Sequence, residues 1–301
     1  MVTAVCRVLM TTTMFRSLLA LTLLLTALSQ TACDPAEPTA ESQNEDAVQS
    51  VDRLVTLHGT LTEIVASLGL RDRLVAVDVT STYPPAVDSL PDMGYHSFFS
   101  AEGILAQDPD RVLGIRDDMD PTLVDQLEAA GVDVVLFDRA TSVDEAQALI
   151  REVGDVVGMA DAADDLAAGI EADLDGVDRP DEPVRALFIY ARGAGSLTVA
   201  GDDTPVHHMI ELAGGENAVS GFDGYKPLTA EALIAADPDA IILFTHGLAS
   251  LGGMDGLLQV PGVAETTAGQ TRHIIEMDAL YLSGFGPRMG RAVQDLAQAL
   301  R

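Results

Sequence analysis

From Arg53 onward the apolar positions fall into short blocks whose period switches between that of a strand and that of a helix. The stretch RLVTLHGTLTEIVASLGLRDRLVAVDVT predicts a strand, a turn at Gly59, a helix ending near Gly69 and a second strand. The strand VDVVLF follows after a further helix and strand. Strands alternating with helices imply βα units and a mostly parallel sheet. From Ser142 to about Val177 the helical spacing runs on without a proline, which predicts one long helix near the middle of the chain. After Pro180 the alternation restarts with RALFIY, a glycine-bearing turn, the helix VHHMIELAGG, the strands AIILF and HIIEM, and a closing helix.

One block is written twice. SAEGILAQDPDRVL begins at Ser100 and TAEALIAADPDAII at Thr229, sharing Ala-Glu near the start and Asp-Pro-Asp before a β-branched run. Each reads as a short helix that stops at the residue before proline, then a buried strand. Placed on either side of the long helix, the repeat points to a bilobed α/β protein whose halves present matching surfaces. The expected organisation is an N-terminal lobe over residues 53–141, a linking helix over 142–178 and a C-terminal lobe over 179–301. A ligand would sit in the crevice between lobes, near loops at the carboxyl ends of strands.

The first residues differ from this body. Up to Ala32 there is no acidic residue, and the apolar run LLALTLLLTAL ends in small and polar residues before Cys33. This is export-signal chemistry over residues 1–32, starting from Met1 or Met14, in a run too short for a comfortable membrane span. The stretch is similar to a bacterial lipoprotein signal, in which Cys33 would become the acylated N-terminus, although Gln30 stands where an aliphatic residue is usual. DPAEPTAESQNEDAVQSVD then reads as a flexible tether over 33–52, suiting a lobe pair held off a membrane by a lipid, in the periplasm or at the cell surface. Cys6 falls within or before the signal, so the processed chain has no internal disulfide to form.

Charge narrows the partners. The formal net charge is −30 over 301 residues and Lys226 is the sole lysine, which excludes nucleic acid as a plausible partner. No GxSxG, HExxH or cysteine-nucleophile context appears, so nothing in the sequence points to an enzyme.

The motifs LTEIVASLG, TSTYPP, LPDMGY followed by SAEG, IELAGGENA, GYKPLTAEALI, LASLGGMDGLLQVPGV and GFGPR together resemble the substrate-binding proteins of bacterial haem-import ABC transporters. These belong to the wider group, with a class III periplasmic binding protein-like fold, that also binds vitamin B12 and ferric siderophores. The resemblance implies haem as the transported ligand and an ABC permease dimer as partner. It implies too that Glu102 and Glu231, one in each copy of the repeat, pair with arginines on the two permease subunits. A pseudo-twofold carrier meeting a twofold partner needs matched charges.

Ferric haem is a hard cation in a flat, apolar macrocycle bearing two propionates, so its carrier needs an anionic oxygen or imidazole ligand, apolar walls and a few cations. Tyr95, in a GY similar to the family's N-lobe ligand motif, is the leading candidate, with its neighbour His96 as the alternative. The family often has an arginine two residues after that tyrosine, whereas Ser97 stands here. Tyr190 and Arg192, in FIYARGAG, resemble a second-lobe ligand tyrosine supported by an arginine, since a guanidinium beside a phenol favours phenolate. His207 and His208 read as cap-region or surface residues, and His58, His246 and His273 lack the spacing of a metal cluster. A ferric siderophore, vitamin B12, or free zinc or manganese are the alternative ligands.

Overall fold

Buried apolar runs build two sheets, and the covering helices fuse them through a shared core. The computed structural model describes residues 53–301 apart from Ser196. The expected signal peptide, the tether and Cys33 lie outside the described residues.

The first sheet holds β1 (Leu54–Thr56), β2 (Leu74–Val77), β3 (Arg111–Ile115) and β4 (Asp133–Phe137), all parallel, in the order β2-β1-β3-β4. Its helices are α1 (Gly59–Val65), α2 (Ala101–Leu105) and α3 (Pro121–Ala129). Two further helices, α4 (Val143–Val157) and α5 (Ala160–Asp175), lead to the second half.

The second sheet holds β5 (Val184–Ala191), β6 (Leu197–Ala200), β7 (Gly215–Asn217), β8 (Tyr225–Pro227), β9 (Ala240–Phe244) and β10 (Ile274–Met277). Strands β10, β9, β5 and β7 are parallel, whereas β6 and β8 extend the sheet antiparallel. Around it lie α6 (Pro205–Leu212), α7 (Ala230–Ala236), α8 (Thr245–Ser250), α9 (Gly253–Leu257), α10 (Thr267–Thr271), α11 (Ala279–Ser283) and α12 (Met289–Ala299).

The single linking helix expected over 142–178 is a correction: it is two helices. Gly158, at φ 75°, ends α4, and its N–H and that of Met159 bond back to Asp155 and Gly154 carbonyls. The apolar period runs across the break because both helices turn a stripe to the same core. Leu149, Ile150 and Val153 of α4 join Ala163, Ala167 and Ile170 of α5 and Val293 and Leu296 of α12 in one buried cluster that reaches both sheets.

The halves are also tied by a buried ion pair. Glu63 of α1, 2% exposed at its side chain, accepts from Arg288 Nε at 2.9 Å and Nη2 at 2.7 Å. The guanidinium lies 3.5 Å from the ring centre of Tyr83 and 4.9 Å from that of Tyr281. Thr60 donates to the Gly284 carbonyl at 2.7 Å, so the GFGPR segment is fastened to α1 at two points.

Each copy of the repeat folds alike. Ser100 and Thr229 cap α2 and α7, and Asp108 and Asp237, at φ 51° and 37°, turn the chain into the following Pro-Asp and strand.

Candidate functional site

The strand ends converge on one cleft of about 440 Å³. His58 follows β1, Thr80 follows β2, Ile115 closes β3 and Arg139 follows β4, while Tyr190 and Arg192 come from the end of β5, Phe244 from β9 and Asp278 from β10. Apart from the β5–β6 and β6–β8 pairings the strands are parallel, and residues at or just after the carboxyl ends of β1, β2, β3, β4, β5, β9 and β10 line the same space.

On the N-terminal side the loop bearing Tyr95 is sewn to the end of β2. Met93 donates to Val77 at 2.8 Å, Val79 donates to Gly94 at 3.1 Å, and Gly94, at a φ of 81° that residues with side chains rarely adopt, donates its N–H to Asp92 Oδ1. Tyr95 reaches the cleft and is 39% exposed. The ring of His96 lies 4.1 Å from it and lines an adjoining cavity of about 150 Å³ instead, together with His58, Asp78, Asp118 and Arg139. Burial pushes the Asp78 carboxyl above its ordinary range although Thr80 and Ser81 donate to it.

On the C-terminal side Tyr190 is half-buried, with Phe244 edge-on at 6.0 Å and Tyr225 at 6.3 Å. Arg192 Nε donates to its hydroxyl at 2.7 Å. Burial, then the neighbouring Tyr190, raises the Tyr225 phenol above its usual value.

Two residues that the spacing of histidines did not single out complete the N-terminal wall. Arg139 Nη2 donates to Asp118 Oδ2 at 2.7 Å, and Nη1 lies 2.9 Å from Nε2 of His58. Burial first, then the Arg139 charge, lowers the His58 imidazole to about 4.

Residues 54–281 match the family model described as periplasmic binding protein. The chain belongs to that family. Among solved structures, the periplasmic haem-binding protein RhuT from Roseiflexus sp. RS-1, in apo form, is 42% identical with a TM-score of 0.80, covering 83% of this chain and 97% of that one. The uncharacterised ABC transporter substrate-binding lipoprotein YvrC of Bacillus subtilis is 25% identical over 87% of this chain and 83% of its own. A cobalamin-binding protein of Halobacterium salinarum is 28% identical over 87% of this chain and 73% of its own.

This periplasmic binding protein holds its sequence-predicted residues in two places. Tyr95, Tyr190 and Arg192 line the cleft, and His96 stands beside it. Glu102 and Glu231 are exposed in the first turns of α2 and α7. His207 and His208 sit in the first turn of α6, which Thr204 caps, and with Glu211 they form a cluster whose ligand-type atoms lie within 4.8 Å of one another. Among the described residues no helix is long and apolar enough to cross a membrane.

Proposed function

We propose that this periplasmic binding protein captures haem between its lobes and delivers it to an ABC permease. The observation that carries the reading is the Arg192–Tyr190 pair set in an aromatic wall, across the cleft from the loop of Tyr95. A guanidinium that donates to the phenol oxygen puts positive charge beside the position where ferric iron would take an oxygen ligand. Tyr190 then ligates from the C-terminal lobe and Tyr95, or His96 after a turn of its loop, from the other. Val79, Ile115, Ala140, Leu149, Phe244 and Leu280 supply apolar walls for the macrocycle.

Export and anchoring through an acylated Cys33 belong to the same reading, supported by the signal-like start and by the lipoprotein relative. Glu102 and Glu231, on matching helices, are the docking charges for the two permease subunits. Titration with haemin tests the cargo: a shifted Soret band with charge-transfer features of an oxygen ligand is expected. An unshifted band, with tight binding of cobalamin or of zinc in a calorimeter, would overturn it.

A further inference from the structure

Two hydrogen-bond donors converge on a ring that can accept only one. Thr60 N–H points at Nδ1 of His58 at 3.2 Å, and Arg139 Nη1 lies 2.9 Å from Nε2. A guanidinium has N–H groups and no acceptor, while imidazole offers one acceptor when neutral and none when protonated. In every protonation state an N–H therefore faces another N–H. The Thr60 amide opens α1, where backbone donors lack intrahelical partners, so the cap bond to Nδ1 is the one the fold needs. The proton then sits on Nε2, pointing into the same space as Nη1. Asp118 fixes the other arm of the guanidinium and, among the described residues, Nη1 has no oxygen partner.

Both side chains line the main cleft, where the other guanidinium among the described residues is that of Arg192. We propose that His58 and Arg139 bind a carboxylate of the cargo, one oxygen accepting from His58 Nε2–H and the other from Arg139 Nη1–H. An anion placed there gives both donors an acceptor at once, and a charge-assisted pair of this kind is among the stronger polar contacts a cleft can make. The inference rests on the haem reading and makes this the propionate subsite. The macrocycle lies along the apolar wall and the carboxylate marks its orientation.

The test compares haemin with haemin dimethyl ester, which keeps the ring and the iron and loses the carboxylates. The unaltered protein should prefer haemin by about tenfold to hundredfold, the range of a charge-assisted hydrogen bond. Arg139→Gln should bind the two forms equally, with the Soret position unchanged because Arg139 does not hold the iron. Arg139→Lys, which keeps a cation on a long stem, should retain part of the preference. His58→Asn places an oxygen where Nδ1 caps Thr60 and removes the Nε2 donor, so it too should lose discrimination while far-UV circular dichroism stays unchanged. Equal affinity of the unaltered protein for both forms, or a full preference surviving in Arg139→Gln, would overturn the subsite and leave haem capture standing. Failure of both forms to shift the Soret band would instead remove the cargo on which it depends.

Discussion

The Nε–H of Arg192 donates to the Tyr190 hydroxyl at 2.7 Å, two residues away at the end of the same strand, while its guanidinium carbon lies 5.3 Å from the ring centre. The bond holds the phenol oxygen towards the cleft and places positive charge beside it. Replacing Arg192 with Leu should weaken haemin binding about tenfold or more, the scale of a hydrogen bond to a charged group. Tyr190→Phe should weaken it similarly, and the double variant should be little worse than either single one, as residues acting as a unit are non-additive. Additive losses by fluorescence quenching would show that the two act separately.

Tyr95→Phe keeps the ring and removes the oxygen. Its haemin complex should show an altered charge-transfer band and faster loss to apomyoglobin, while His96→Ala, whose ring lines the adjoining cavity, should change both less. The reverse order would give the N-lobe iron bond to His96.

Glu102→Arg with Glu231→Arg should leave haemin affinity intact and abolish uptake in cells, because each lobe would then present like charge to its permease subunit. Each single reversal should impair uptake partly. Unimpaired uptake by the double variant would reduce the repeat to a record of how the halves are built.

His58, lowered to about 4 against an ordinary value of 6.5, makes stability depend on pH. Between those values the unfolded chain binds the proton and the folded one does not, so stability falls as pH drops through the window and is unaffected by this group above it. Between pH 7 and pH 5 the unaltered protein should lose about 1 to 2 kcal/mol more than His58→Asn in urea unfolding. Parallel losses in the two proteins would contradict the assignment.

Glu63→Gln leaves the Arg288 charge without its bidentate partner in a largely buried place. A cost of about 3 kcal/mol is expected from removing one member of a buried pair, seen as a lowered thermal midpoint. A change under about 0.5 kcal/mol, the level of an ordinary surface substitution, would mean that water replaces the lost contact.

Much of the fold was legible because its signals are local. RALFIY and AIILF are continuous apolar runs, and they form β5 and β9, buried on both faces as parallel strands are. The Asp-Pro turns showed themselves twice in nearly the same letters. The antiparallel edge was less legible: β8 is the exposed YKP, whose pairing with β6 is set by the sheet and carries no alternation of its own. The break at Gly158 was hidden for the opposite reason, since two helices packed on one core keep one rhythm.

At the site, Tyr190 and Arg192 could be read together because two residues along a strand point to the same side. His58 and Arg139 lie 81 residues apart and meet through the adjacency of β1, β3 and β4, which no spacing in the chain encodes. The available signal was positional. Each follows a parallel strand within two residues, where ligand-facing groups collect.

Gly154 does not line the cleft, yet a methyl group added to it would sit 2.2 Å from the Ala163 methyl of α5. The backbones of α4 and α5 thus approach as closely as they do because one hydrogen stands where a side chain would be. Any larger residue at position 154 would therefore have to push α4 and α5 apart in the middle of the cluster that joins the two sheets, so the fit of the two halves is felt at a place no cargo touches.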